Sequence, residues 1–432
     1  MPMHHSVLSR RNLLAGGAAL AITPLASCGS SGASSGTDDL VMWDMVWGTG
    51  AAYTKTAQKI AGEYTPAEGH RGVTYQSIPW ANWYQTFTSA VASGTGPSVS
   101  TGASFQPFFF MEQGSVVPAD GAVALLEKEG KADFLPGLLD AMKTDKGYAG
   151  IPWGLDLRVL WYRESMLEDV GASVPTTWDE YVQVGKKLKA AGKIGFGLAA
   201  GSSTTDAQHS IFALLINNGG GLFTEDGEPD ATNDANVEAL EFVLEMVAEG
   251  IIDPRAASYT ADNLDSDWAS GRIAMGFGQT GLDKQMKDPV SADLKVMSPL
   301  ASTSGSKGTI YYINAIMLYA DTPDQASSDA FAAWWATRTD TFWTENVMID
   351  LPVTQRLASS EMITSNPNLV TAIKEWQPIG KTLGAKAPAA FGALNSVDGG
   401  KAAASFVQQV VQGKTAPKAM LQTLQTELEK LV

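Results

Sequence analysis

A chain of 432 residues with a formal charge of −16 can hold about two or three domains and is too acidic to seek nucleic acid or an anionic membrane surface. Charged residues make up 18% of it, below the roughly 25% of ordinary globular proteins, while twelve tryptophans are many. That composition suits a binder of neutral ligands that are part polar and part apolar. A single cysteine excludes an internal disulfide or a zinc site made of cysteines.

The N-terminus reads as a leader. Arg10 and Arg11 supply a positive segment of twin-arginine type, Leu13 to Leu25 is apolar and small, and Leu25-Ala26-Ser27-Cys28 matches a bacterial lipobox. An apolar run of about a dozen residues is too short to cross a bilayer, which takes about 20. Residues 1–27 are therefore expected to be removed and Cys28 lipidated, with two or more acyl chains giving a stable anchor. Residues 28–38, rich in glycine and serine, follow as a flexible tether. Loss of Arg10 and Arg11 without any acid takes the formal charge from −16 to −18.

Beyond the tether, apolar runs and helical spacings alternate. Leu40 to Val46 reads as a buried parallel strand, and Tyr53, Ala57, Ile60, Ala61 and Tyr64 recur at helical spacing. Gly72 to Ile78 is a second strand, and Trp80, Trp83, Tyr84, Phe87, Ala90 and Val91 mark a helix with one aromatic face. The pattern predicts an α/β fold with a mainly parallel sheet. Leu155 to Tyr162 is a further strand. A helix opens at Thr176-Thr177-Trp178-Asp179-Glu180, where a threonine cap and early acids suit the positive helix end, and Gly192 stops it. Ile194 to Ala199 reads as a short strand, Ile211 to Ile216 as helix, Val237 to Ala248 as a helix stopped by Gly250, Ser302 to Gly308 as a polar surface loop, and Ile310 to Tyr319 as a strand.

The run Gly147-Tyr148-Ala149-Gly150-Ile151-Pro152-Trp153-Gly154-Leu155-Asp156-Leu157-Arg158-Val159-Leu160-Trp161-Tyr162-Arg163 resembles the extracellular solute-binding proteins of sugar-import ABC transporters, the maltose-binding-protein-like family 1. Pro175 to Glu180, Asn217 to Phe223, Trp268 to Met275 and Leu351-Pro352-Val353 continue the resemblance in order. It implies an α/β, two-lobed periplasmic-binding-protein fold of type II, with a hinge and an interlobe ligand cleft. The first lobe would hold 39–154 and 281–333, the second 155–280 and 334–432. Ligand would close the cleft by population shift, which requires contact with both lobes. The implied partners are a carbohydrate and the permease subunits of an importer. No cofactor, metal or nucleic acid is implied, and the protein would be a monomer anchored to the outer face of the bacterial membrane.

A sugar has apolar faces and a rim of hydroxyls, so its site needs aromatic plates with carboxylate, amide and guanidinium groups at the edges. Trp47 and Trp80 follow strands, where open α/β sheets bind ligands. Trp80 could instead be core, and Trp83 reads as core. Asp156 and Arg158, two apart in a strand, share one face beside Trp153 and Trp161; they could pair as hinge structure or grip vicinal hydroxyls. The resemblance places Asp206, Gln208 and His209 in the cleft, near Asn217 and Asn218, with a helix cap as the other reading of Asp206. Gly278-Gln279-Thr280-Gly281 replaces the Gly-Pro-Trp common in the family, so Gln279 stands where an aromatic plate is expected. Ser98, Ser104, Phe105 and Gln106 also depart from the usual pattern, which removes the maltose preference. Asn314, Trp376 and Phe391 complete the candidates, whereas Trp334, Trp335 and Trp343 read as helix packing.

An enzyme is not expected. After cleavage only His70 and His209 remain, and no GxSxG, HExxH or P-loop spacing occurs. The 46 acidic residues leave a glycosidase's carboxylate pair open. Thr224 to Asp230 lacks the spacing of a calcium loop and reads as a turn at Asp226-Gly227. The alternatives are a polyamine, phosphate ester or iron binder on the same fold, or a surface glycosidase or adhesin.

Overall fold

The computed structural model describes residues 39–48, 50–387 and 389–432. The expected leader, Cys28 and the tether lie outside the described residues. Among the described residues, eleven strands follow in chain order: β1 (Leu40–Met45), β2 (Val73–Ile78), β3 (Val99–Gly102), β4 (Val116–Val117), β5 (Lys143–Thr144), β6 (Gly147–Tyr148), β7 (Ile151–Arg163), β8 (Met275–Gln279), β9 (Leu294–Val296), β10 (Thr309–Tyr319) and β11 (Gly380–Lys381). β5 and β6 form a hairpin, and the other nine make one sheet whose main path is β2-β1-β3-β10-β7-β8.

β1 is apolar almost throughout because it lies between two parallel neighbours, β2 and β3, with helices over the sheet. Parallel pairing extends only to β10–β11; β10 runs antiparallel to β3, β4 and β7, and β7 antiparallel to β8 and β9. The expected mainly parallel sheet is therefore a mixed one. The two longest strands cause this, because 13-residue β7 and 11-residue β10 cross its centre side by side. Ile151–Leu157 of β7 pairs with β10, and Arg158–Arg163 pairs with β8 and β9. One chain direction thus carries from one group of strands to the other.

Helical spacing gave the right faces. Tyr53, Ala57, Ile60 and Ala61 are the buried residues of helix Gly50–Ala61. Thr177 caps helix Trp178–Ala190 by accepting from the Glu180 amide, and the Glu180 carboxylate reaches back to the Thr176 amide and hydroxyl at 2.8 and 2.7 Å. Gly192, at φ 78°, turns the chain away. The expected strand Ile194–Ala199 is only two isolated bridges, Ile194 to Ile273 and Phe196 to Ile252. Its glycines explain this: Gly195 and Gly197 press against Ile251 and Ile273, where a Cβ would come within 2.7 and 2.9 Å.

Helices Gln325–Ala336 and Thr339–Thr344 cover the first group of strands. Trp334 and Phe331 each sit 5.0 Å from Tyr64, Trp335 stacks on Trp153 at 5.8 Å, and Phe342 stacks on Tyr53 at 5.0 Å. The expected change of lobe at 333 falls inside the first of these helices, and this aromatic packing carries 334–344 with the first group instead. Among the described residues no helix is long and apolar enough to cross a membrane.

Candidate functional site

Alternation along β7 puts Asp156 and Arg158 on one face, and the register places Tyr312 of β10 opposite Asp156 and Gln279 of β8 opposite Arg158. Arg158 Nη2 donates to Asp156 Oδ2 at 2.8 Å, and both residues are 7% exposed. Burial works against the Arg158 charge, but the fields of Asp156, Asp206, Tyr312 and Asp350 outweigh it and hold the guanidinium above its ordinary range. Asn314, opposite Gly154, donates to Asp350 Oδ2 at 2.8 Å. Gly154 is required there, since a Cβ would lie 2.5 Å from that same oxygen. Burial, then the charge of Asp156, push the Asp350 carboxyl up to about 8.

The Asp398 carboxylate gathers a second layer. It accepts from His209 Nε2 at 2.9 Å and from the Tyr312 hydroxyl at 3.4 Å, while the Asp398 carbonyl accepts from Gln208 Nε2 at 2.5 Å. Helix Asp206–Asn217, β10 and helix Ala393–Asp398 meet there. Asn395 lies one turn before Asp398 and is 1% exposed. From the other side, Phe105 packs on Tyr312 at 5.6 Å, and Ser104 Oγ accepts from the Ile313 amide.

Six side-chain atoms in this region are buried and unpartnered: Gln106 Nε2, Asp156 Oδ1, Arg158 Nε, His209 Nδ1 and both amide atoms of Asn395. Leaving such groups unsatisfied costs about 1–3 kcal/mol each. A chemically coherent reading is a preformed set of donors and acceptors for a hydroxyl-rich guest. His209 Nε2 is engaged by the Asp398 carboxylate, which leaves Nδ1 as the ring's unpartnered nitrogen.

A groove of about 520 Å³ opens between Gly48 and Gly50 after β1 and Asp265, Ser266 and Ala269 of helix Ala261–Ala269, with Gln285 and Met286 beside them. Its volume falls within the roughly 300–1,000 Å³ of small-molecule sites. Burial, then the charges of Asp206 and Asp262, push Asp265 up to about 6. Asp206 lies within electrostatic reach of both places, for its charge acts on Asp265 at the groove and on Arg158 in β7.

Trp80 is 39% exposed, and it is the one tryptophan among the described residues that is exposed and not buried or half-buried. Its Nε1–H donates to the Val46 carbonyl at 2.7 Å and its ring meets Trp47 edge-on at 5.0 Å. Trp83 meets it at 78° and 6.3 Å, so the ring is fixed between two indoles and remains partly exposed.

The structure brings Asp156, Arg158, Asp206, Gln208, His209 and Gln279 near one another, with Asn314 engaged behind them. Others are placed elsewhere. Trp47, 2% exposed, lies beneath Trp80 and supports it. Trp153 is fully buried between Trp335 and Phe342, so it is core and not a plate. Trp376, 1% exposed, donates to the Met297 carbonyl and packs edge-on to Phe277, also as core. The Asn218 amide is used up on the Ala235 carbonyl and the Glu238 carboxylate, which ties two helices. Phe391 is half-buried, edge-on to Phe223. Sequence reasoning missed Tyr312, Asp350, Asn395, Asp398 and Asp265. Alternation from Asn314 could have found Tyr312, but short helices and loops gave no such signal for the rest.

The model of bacterial extracellular solute-binding proteins matches residues 47–340. The chain belongs to this family. A solved sugar-transporter structure from Arthrobacter chlorophenolicus A6, with bound laminaribiose, is 41% identical to this solute-binding protein. The two superpose with a TM-score of 0.88 over 91% of this chain and all of the other. A maltose-bound T. maritima structure, 16% identical with a TM-score of 0.75 over 91% of this chain and all of its own, shares the fold. Among curated relatives, the lactose-binding protein of Rhizobium radiobacter is 26% identical over 299 residues, 66% of this chain and 65% of its own. The chain spans 63% of the length of the Brucella abortus and Brucella suis relatives it matches, at 24% identity. Fold and family agree with the sequence resemblance, and a solute-binding component, not an enzyme, is what the family describes.

Proposed function

We propose that this solute-binding protein captures a short neutral carbohydrate, a glucose disaccharide such as laminaribiose foremost, and delivers it to the permease of an ABC importer. The observation that carries the reading is an exposed indole, Trp80, fixed on Val46 and Trp47 just before Gly48 at the rim of a disaccharide-sized groove, backed by buried unpartnered donors and acceptors on Gln106, Asp156, Arg158, His209 and Asn395. A sugar ring stacks its C–H face on the indole while its hydroxyls satisfy those groups. The laminaribiose bound by the 41%-identical Arthrobacter protein supports the choice of ligand.

In this reading β1–β4, the start of β7, the end of β10 and residues 325–344 form one lobe. The end of β7, β8, β9 and the helices of 164–269 form the other, with β7, β10 and the 347–351 segment as crossings. Export through the 1–27 leader and lipid anchoring at Cys28 keep the receptor at the outer face of the membrane. Calorimetric titration with laminaribiose, maltose, glucose and spermidine tests the ligand class. Saturable heat with a neutral sugar and none with spermidine is expected; spermidine binding alone would replace the reading with a polyamine receptor. Cys28→Ala is expected to release the protein into the medium.

A further inference from the structure

Asp44, the fifth residue of β1, is fully buried. Its carboxylate is surrounded by hydroxyls: Thr101 of β3 at 2.6 Å on Oδ1, and Tyr75 of β2 and Tyr53 of helix Gly50–Ala61 at 3.0 and 3.1 Å on Oδ2. The Thr101 hydroxyl decides what this arrangement does. A hydroxyl has one proton and two lone pairs. Thr101 Oγ1 lies 2.9 Å from the Met45 amide and 2.9 Å from Trp47 Nε1, both of which only donate. Both lone pairs are thus committed, and the one proton goes to Asp44.

We propose that Asp44 is a positioning residue for the ligand plate: its ionised carboxylate fixes the Thr101 hydroxyl, Thr101 fixes the Trp47 indole, and Trp47 braces Trp80, so that carbohydrate affinity follows the protonation of Asp44. The proposal rests on Trp80 being the stacking surface. A proton on Oδ1 would face Thr101, which could accept it only by releasing Trp47 or Met45. A proton on Oδ2 would turn a tyrosine hydroxyl around and remove the charge that strengthens the bond from Thr101. The hold on Trp47 weakens in either case.

The groups facing Asp44 are Tyr53, Tyr75, Thr101 and Trp47, and the charge of Asp350 reaches Tyr53 from the other side. Burial pushes the Asp44 carboxyl up to about 7, only partly offset by hydrogen bonding from Thr101, Tyr75, Tyr53 and the nearby Trp47. The switch therefore lies in the pH range an exported receptor meets.

The test has two readouts on the intact protein. In protein labelled with ¹⁵N at tryptophan, the Trp47 indole signal, assigned through Trp47→Phe, is followed from about pH 5.5 to about pH 8. It is expected to titrate in the wild type and to stay fixed in Asp44→Asn, whose amide oxygen still accepts from Thr101 while its nitrogen donates to the tyrosines. It is also expected to stay fixed in Thr101→Val, which interrupts the relay with Asp44 intact. The Kd for laminaribiose is expected to be about threefold or more weaker at the acid end in the wild type and near constant in Asp44→Asn. A Trp47 signal that does not move in the wild type overturns the proposal, as does one that still titrates in either variant or an Asp44→Asn protein with the wild-type pH profile of Kd. If laminaribiose binds at no pH, the ligand reading fails, and the indole titration alone then decides whether Asp44 governs Trp47.

Discussion

Replacing Asp350 by asparagine is expected to stabilise this protein at neutral pH and to remove much of its loss of stability toward alkaline pH. Asp350 is 2% exposed and sits over Gly154 with Asn314 donating to it. Burial and the charge of Asp156 raise its carboxyl from 3.8 to about 8. An acid that holds its proton more tightly when folded contributes stability fully present below the unfolded pKa and lost as pH rises through the folded one. Each unit is worth about 1.4 kcal/mol, so between pH 4 and pH 7 this group alone removes on the order of 4 kcal/mol. Asparagine keeps an acceptor for Asn314 and cannot ionise. Asp44, raised to about 7, acts with the same sign, so the slope in the variant is reduced and not abolished. Urea unfolding followed by tryptophan emission at about pH 4.5 and about pH 7.5 measures the difference. Equal losses of stability in wild type and Asp350→Asn would refute the reasoning, since they would place the ionised carboxylate in the folded protein without cost.

Trp80 and Trp153 should separate binding from folding. Trp80→Ala is expected to weaken sugar binding by about 1 kcal/mol or more, a Kd rise of about fivefold upward, with little change in melting temperature. Trp153→Ala empties a site between Trp335 and Phe342 and should cost about 3–5 kcal/mol of stability, read by urea unfolding. Asp156→Ala strands the buried Arg158 guanidinium and should destabilise by about 3–5 kcal/mol, whereas Asp156→Asn with Arg158→Leu should cost less than the single change, a comparison that unfolding curves of the three proteins settle.

Much of the architecture was legible because it rests on repeating patterns. The β1 run is apolar on both faces, the Gly50–Ala61 face recurs at helical spacing, and Thr177 with Glu180 announces a helix start. The mixed sheet was not legible, because strand direction depends on how β7 and β10 meet across more than 150 residues. The site divides the same way. Asp156 and Arg158 announce a shared polar face inside an apolar strand, whereas Asp206, Gln208 and His209 came only from the family resemblance, because the apolar run marked the helix from Ile211 and not from Asp206. Trp153 and Trp376 misled, since an indole in sequence looks the same whether it faces a cleft or a core. Asp398 and Asn395 come from a six-residue helix, too short for a period, and their role exists only through His209, Gln208 and Tyr312. Asp44 gave no warning either, because one acid in a strand says nothing of the three hydroxyls that other elements bring to it.

Calorimetric titration of the purified protein with laminaribiose, repeated on Trp80→Phe and Trp80→Ala, tests the central claim most directly. Saturable binding by the wild type, largely kept with phenylalanine and weakened with alanine, is the predicted result. Absence of saturable heat with laminaribiose and with other neutral di- and trisaccharides, or binding that is indifferent to both substitutions, would contradict a carbohydrate receptor built around Trp80.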